Sequence, residues 1–223
     1  MEKIVKRGIP NILLEIKQYL EQSKLTLYSK NNDGRVNSIV SEEIVIDTIQ
    51  KKFKDSLNVP KIRSWYDILV KEDKEWLPVN IKITTTKTND NIGNLAPCLY
   101  AYTDYPMRLH KNYNNGVISK ILVKKLENKE YNNDPKRDYW FIVINKLDGT
   151  VIINSVLGLV KLHPNINNLP FQIKWKDNAK YSFSDGCEKE INKKIKLFIN
   201  VLKKPKPSWK EEFMTSIRNL SIN

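Results

Sequence analysis

Residues 65–91 read WYDILVKEDKEWLPVNIKITTTKTNDN, two apolar segments on either side of the charged turn Lys71-Glu72-Asp73-Lys74-Glu75. A turn this polar is a solvated hairpin end, which predicts strands at about 64–70 and 77–86. Side chains two apart on a strand share a face. Asn80 and Lys82 therefore point one way, and Val79, Ile81 and Ile83 the other. Pairing of the two strands brings Asp67 beside Asn80 and Lys82. The ordinary alternative, a strand-end salt bridge, is worth little at a surface. Charges among apolar strand residues are costly unless used.

The chain has 223 residues, 40% of them hydrophobic, enough for one large domain with its own core. No apolar run approaches the roughly 18–20 residues of a membrane span, and the opening MEKIVKRGIP lacks the apolar stretch of a signal peptide. Cys98 and Cys187 lie far apart with no second pair of ligands, which points to a reduced, cytoplasmic setting and away from structural zinc. The net charge of +13 suits a polyanion, nucleic acid first. A coding bias towards Lys, Asn and Ile is the competing source of that charge.

Around the hairpin the pattern alternates helices and strands. Ile12, Ile16, Tyr19 and Leu20 predict a helix over 9–23, with Pro10 in its first turn. Asn32-Asp33-Gly34 marks a turn. A second helix is expected from Ser41, with Glu42 and Glu43 complementing its dipole and Val45, Ile49 and Phe53 buried. Pro97 suits the start of a short helix carrying Leu99, Tyr100 and Tyr102, and Val117–Leu126 reads as a strand. Tyr139–Ile144 and Val151–Ile153 flank the turn at Leu147–Thr150 and read as central strands, buried on both faces. A helix capped by Asp185 runs to about Leu202, burying Ile191, Ile195, Phe198 and Leu202. Ser208 and Glu211 form a capping box for a last helix packed through Trp209, Phe213 and Ile217. The expected architecture is α/β: one domain over 1–223 with a mixed central sheet flanked by helices, its core at about 38–160 and a helical extension at about 185–221.

The chemistry these residues suggest is phosphodiester hydrolysis. That reaction needs a hard cation to neutralise phosphate and acidify a bound water, oxygen ligands for the cation, and a positive side chain near the phosphorus. Asp67 offers a carboxylate, Ile81 a main-chain carbonyl between Asn80 and Lys82, and Lys82 the ammonium. Asp67 followed by Asn80-Ile81-Lys82 resembles the PD-(D/E)xK nuclease pattern. NIKITTTKTN is similar to the active-site strand of EcoRV-like restriction endonucleases, which reads acid-Ile-Lys-Thr-Thr followed by Asn. The likeness covers Trp65 to Asn94, about a fifth of the chain, within a compatible helix-strand-strand order.

That resemblance implies a restriction endonuclease-like core and a type II enzyme, a homodimer cutting double-stranded DNA at a short palindrome with Mg2+ to leave a 5′-phosphate. Asp67, Asn80 and Ile81 would hold the metal, with Glu43 a further candidate, and Lys82 would assist the water. Tyr66 stands where the family usually has proline, and Asn80 where it has its second acid. Three explanations meet the second departure: an Asp→Asn inactivated form, a natural variant in which Glu43 supplies the charge, and a DNA binder without cleavage. Candidate DNA contacts are Thr84, Thr85, Thr86, Lys87, Asn89, Asn91 and Asn94 after the strand, with Gly93 allowing close approach. Asn154, Asn165, Asn167 and Asn168 join them from the segment after the second hairpin, which also carries Gln172; the same residues are ordinary loop formers. A repair or junction-resolving nuclease and a non-catalytic DNA-binding protein are the rival functions.

Overall fold

The computed structural model describes residues 8–23, 25, 34–60 (34–39 by backbone alone), 64–109, 111, 113–134, 136–165, 170–183, 188–202 and 213–217. In chain order the elements are α1 (Asn11–Gln22), α2 (Gly34–Phe53), β1 (Leu57–Asn58), β2 (Ile68–Glu72), β3 (Glu75–Thr84), β4 (Asn89–Asn91) and α3 (Ala96–Tyr102). They continue with α4 (Asn115–Glu127), β5 (Trp140–Asn145), β6 (Val151–Ser155), β7 (His163–Pro164), β8 (Phe171–Lys174) and α5 (Glu188–Leu202). The fold is α/β, as the sequence predicts. A five-stranded sheet of order β1-β2-β3-β5-β6 is joined by a three-stranded one of order β4-β8-β7.

Only β3 and β5 pair in parallel. A parallel neighbour cannot be reached through a tight turn, and β4, α3 and α4 form the crossover. Period-two burial splits the large sheet between two cores. Ile68, Val70, Val79, Ile81, Ile142 and Ile144 face α1 and α2, meeting Leu13, Ile16, Leu20, Val45, Ile49 and Phe53. Leu69, Phe141 and Val143 face the other way, towards α3, α4, α5 and the small sheet. Asn80 pairs with Phe141 and Lys82 with Val143. Cross-strand partners share a face, so both polar residues belong to the second side.

Several sequence expectations shift. The first hairpin strands run 68–72 and 75–84, so the pairing enters the charged segment and turns at Asp73, whose φ is 54°. Thr86, with φ of 61°, has left the strand. Helix α2 starts at Gly34, not Ser41, so Ser41 is a buried mid-helix residue and Glu42 and Glu43 do not sit at a dipole end. The segment 117–126 is helix α4, not a strand. Ile118, Leu122 and Leu126 recur every fourth residue on its buried side, and the Asn114 side chain caps it by accepting from the Gly116 amide. β5 is central, but β6 is the sheet's edge strand, its inner side chains covered by α1. The buried stripes of α2 and α5 and the burial of Phe213 and Ile217 match expectation. Asn32, Asp33, Asp185, Ser208, Trp209 and Glu211 lie outside the described residues.

Helix α1 has Pro10 before its first turn and no side-chain cap of its own. Its exposed amides are instead met by Glu72 from the end of β2, which accepts from Asn11 at 2.9 Å and Ile12 at 3.1 Å. A carboxylate at a helix N-terminus satisfies orphan donors and complements the dipole. Replacing Glu72 by Ala should cost about 1–2 kcal/mol, read as a lower urea midpoint with an unchanged slope, and Glu72→Gln should recover part of the loss.

Candidate active site

The three residues singled out from the hairpin line one cleft of about 520 Å³. Asp67 stands one residue before β2, and its amide donates to the Val79 carbonyl at 3.0 Å. Its Oδ2 accepts from the Asn80 side-chain amide and from the Ile81 backbone amide, both at 2.7 Å. The carboxylate is thereby fixed against the middle of β3. In an extended residue the amide and carbonyl face the same edge, which turns the Ile81 carbonyl towards Asp67 as well. Lys82, half-buried, lines the cleft beside Asn80.

The back wall is aromatic. Trp65 and Tyr139 stack with centroids 5.6 Å apart, and the Tyr139 hydroxyl donates to the Trp65 carbonyl at 2.9 Å. Burial keeps that phenol well above its usual range and therefore neutral. The opposite wall comes from α2, where Glu42, Glu43 and Ile46 line the cleft. Glu42 is half-buried and Glu43 exposed. The inversion matters, because the sequence favoured Glu43 and read Glu42 as a solvated dipole partner.

Burial pushes the Asp67 carboxyl above the ordinary carboxylate range, while the charge of Lys82 and the Ile81 amide oppose that rise. A second acid escaped the sequence reading. Asp90, in the middle of β4, points inward while Asn89 and Asn91 stay exposed. Its carboxyl is also raised by burial, and the nearby Thr84 hydroxyl, the charge of Lys82, the Trp175 indole and the charge of Lys146 pull it back. Lys82 thus lies within electrostatic reach of two carboxylates. Only the alternation of a three-residue strand could have shown this, and NDN reads as a turn.

The candidate DNA contacts separate. Asn91 and Asn94 line the cleft, and Lys87 and Asn89 are exposed beside it. Thr85 and Thr86 are half-buried in the bend after β3. Thr84 is only 5% exposed and sits against Thr88 at 3.4 Å, so it is a support for the bend and not a contact. Asn154 is fully buried. It donates to the Asn178 carbonyl at 2.6 Å and accepts from the Ser155 amide at 2.8 Å, which removes it from any surface role. Asn165 is buried too, but its amide reaches Asn91 at 2.7 Å. Asn167 and Asn168 lie outside the described residues.

The donors suit a hard cation. Asp67 brings a carboxylate, Ile81 a carbonyl, and the Asn80 Oδ1 is buried without a hydrogen-bond partner. An acceptor left without a proton donor in a polar cleft is a place for a positive ion. Among the described residues no group of three or more Asp, Glu, His or Cys side chains gathers as a metal cage. An oxygen set with one fixed carboxylate fits Mg2+, which keeps waters and shares substrate phosphate oxygens, and it does not fit zinc. Among the described residues no helix is long and apolar enough to cross a membrane. Neither a family model nor a curated protein matches the chain.

A buried acid with a raised pKa loses stability as pH climbs from the ordinary carboxylate range to its folded value. Asp67→Asn keeps an acceptor oxygen for Ile81 and Asn80 and removes the charge. Thermal melts should therefore show the variant more stable than the parent near pH ~7, with the gain fading below pH ~4, where the carboxyl is protonated in both states. An equal gain at both pH values would mean that the buried charge is not its source.

Proposed function

We propose that this chain is a Mg2+-dependent endonuclease acting on double-stranded DNA, a type II restriction endonuclease of the EcoRV-like branch of the PD-(D/E)xK superfamily. The observation that carries the reading is the convergence of Asp67, Asn80 and Lys82 on one open cleft, with the Asp67 carboxylate clamped to the strand that bears the other two. The net charge of +13 favours a polyanionic substrate. Two-fold DNA sites call for a homodimer, and a cytoplasmic location goes with the same reading.

Asp67, Asn80 and the Ile81 carbonyl would hold Mg2+, and the bound cation would neutralise the scissile phosphate and acidify a water. Lys82 would orient that water and offset charge on the phosphorus. The water oxygen would bond to phosphorus as the bond to the 3′ oxygen breaks, the water losing a proton to solvent and the departing 3′ oxygen taking one from solvent, to give a 5′-phosphate and a 3′-hydroxyl. Asn80 brings no charge to the site. Glu42 and Glu43 line the same cleft, and they are the carboxylates best placed to make up the difference. The scarcity of clustered acids among the described residues favours a second reading, a DNA-binding protein that does not cut.

Two substitutions test the reading on plasmid DNA with Mg2+. Lys82→Ala should lower the cleavage rate by about 10²–10³-fold, leaving binding in the absence of Mg2+ within a few-fold. Asn80→Asp should raise cleavage. If neither the parent nor Asn80→Asp cuts while both bind duplex, the non-catalytic reading stands. If neither binds, the DNA reading itself fails.

A further inference from the structure

The three-stranded sheet β4-β8-β7 has two unlike faces. Asp90, Phe171 and Ile173 turn inward, and the latter two are fully buried. The opposite face carries a chain of carboxamides. The register puts Asn91 opposite Gln172 and Asn89 opposite Lys174. Asn91 Oδ1 accepts twice, from Asn165 Nδ2 at 2.7 Å and from Gln172 Nε2 at 3.0 Å. Gln172 Oε1 in turn accepts from Asn89 Nδ2 at 3.4 Å.

These bonds decide what each amide has left to offer. An amide oxygen has two lone pairs and the nitrogen two hydrogens. The Asn91 oxygen is saturated, so this exposed side chain presents donors alone. Turning this amide alone would set its NH2 against two other NH2 groups, so its orientation is coupled to those of Asn165 and Gln172. Asn91 also lines the cleft that holds Asp67 and Lys82. Asn89 retains its oxygen and one N–H.

In the major groove, guanine presents two acceptors and thymine one, whereas cytosine presents a donor. A donor-only amide fits the first two, whereas opposite cytosine, or the N6 amino group that adenine sets beside its N7 acceptor, a desolvated donor faces a donor and is left unpaired. We propose that the outer face of β4-β8-β7 is the base-reading surface of this protein for duplex DNA, with Asn91 selecting a guanine or thymine edge beside the cleft. Asn165 and Gln172 are positioning residues that set its polarity. Exposed Lys87 and half-buried Lys174 flank the strip and suit the phosphates on either side. The inference rests on the duplex-DNA reading above and adds a base identity to it.

Asn91→Asp is the discriminating variant. Aspartate still accepts from Asn165 and Gln172 but puts an oxygen where the NH2 was, reversing the outward polarity with little change in shape. The full-length parent and the variant would each be selected, without Mg2+, against a randomised duplex library, and the enriched sequences compared. The parent should enrich a motif with G or T at one position. Asn91→Asp should move that position to C or A, or erase it, while the rest of the motif stays. Asn165→Ala, which removes one of the two donors that hold the Asn91 oxygen, should blur the same position by several-fold in enrichment. An unchanged motif in both variants, or a parent that binds duplex with no base preference, would overturn the inference while leaving the DNA reading intact. Failure of the parent to retain any duplex, or retention of single strands or RNA alone, would remove both.

Discussion

The geometry of the candidate site depends on how one carboxylate is tied to one strand. Asp67 lies outside the regular ladder of β2, and its Oδ2 replaces a missing ladder partner by accepting from the Ile81 amide and the Asn80 side chain at 2.7 Å each. Two hydrogen bonds to a charged acceptor are each worth more than a neutral pair, and they offset part of the burial cost of the charge, which still leaves the carboxyl raised. They also set a register. Shifting β2 by one residue against β3 would turn Asp67 to the α1 and α2 side, where Val79 and Ile81 are fully buried.

Rigidity around that tie comes from packing. The Trp65–Tyr139 stack and its hydrogen bond hold the approach to Asp67 against the start of β5. The small sheet is latched to the bend after β3 by the Lys176 amide on the Thr86 carbonyl at 3.0 Å. Trp175 packs on Phe141 with centroids 5.0 Å apart. Asn178, fully buried, closes the next loop by accepting from Val160 and Lys161 and donating to Lys161 and Lys174. Strand β4 and its carboxamides are thus fixed relative to Lys82, which a cleft must achieve if chemistry and recognition are to share it.

What the sequence made legible follows from the range of the physics involved. Asp67, Asn80 and Lys82 could be brought together on paper because period-two geometry and one tight hairpin suffice. The buried stripes of α2 and α5 were equally visible, since a helix repeats its own pattern. Ser41 and two glutamates imitate a cap inside α2, while Asn32-Asp33-Gly34 at its true beginning reads as a turn. The segment of α4 reads as a strand because Ile118, Ile121 and Val123 are β-branched, although Leu122 and Leu126 complete a four-residue repeat with Ile118. Strands β4, β7 and β8 have two to four residues each, too few for any periodicity. The places of Asp90, Glu42 and the link between Asn91 and Asn165 depend on contacts between segments far apart in the chain, which no local pattern carries.

Asn80 is consistent with this geometry in a way that an acid is not. An aspartate at that position would set a second carboxylate within hydrogen-bonding distance of Asp67. Two such groups cannot both ionise cheaply, and one would hold a proton until a cation arrived. The asparagine amide instead donates to Asp67, which settles the cleft at rest, and its remaining oxygen stays unspent. The cleft therefore carries one carboxylate on this side where an aspartate at position 80 would make two. On the reading proposed above, a second carboxylate for a cation would have to come from the opposite wall of the cleft, which Glu42 and Glu43 of α2 line.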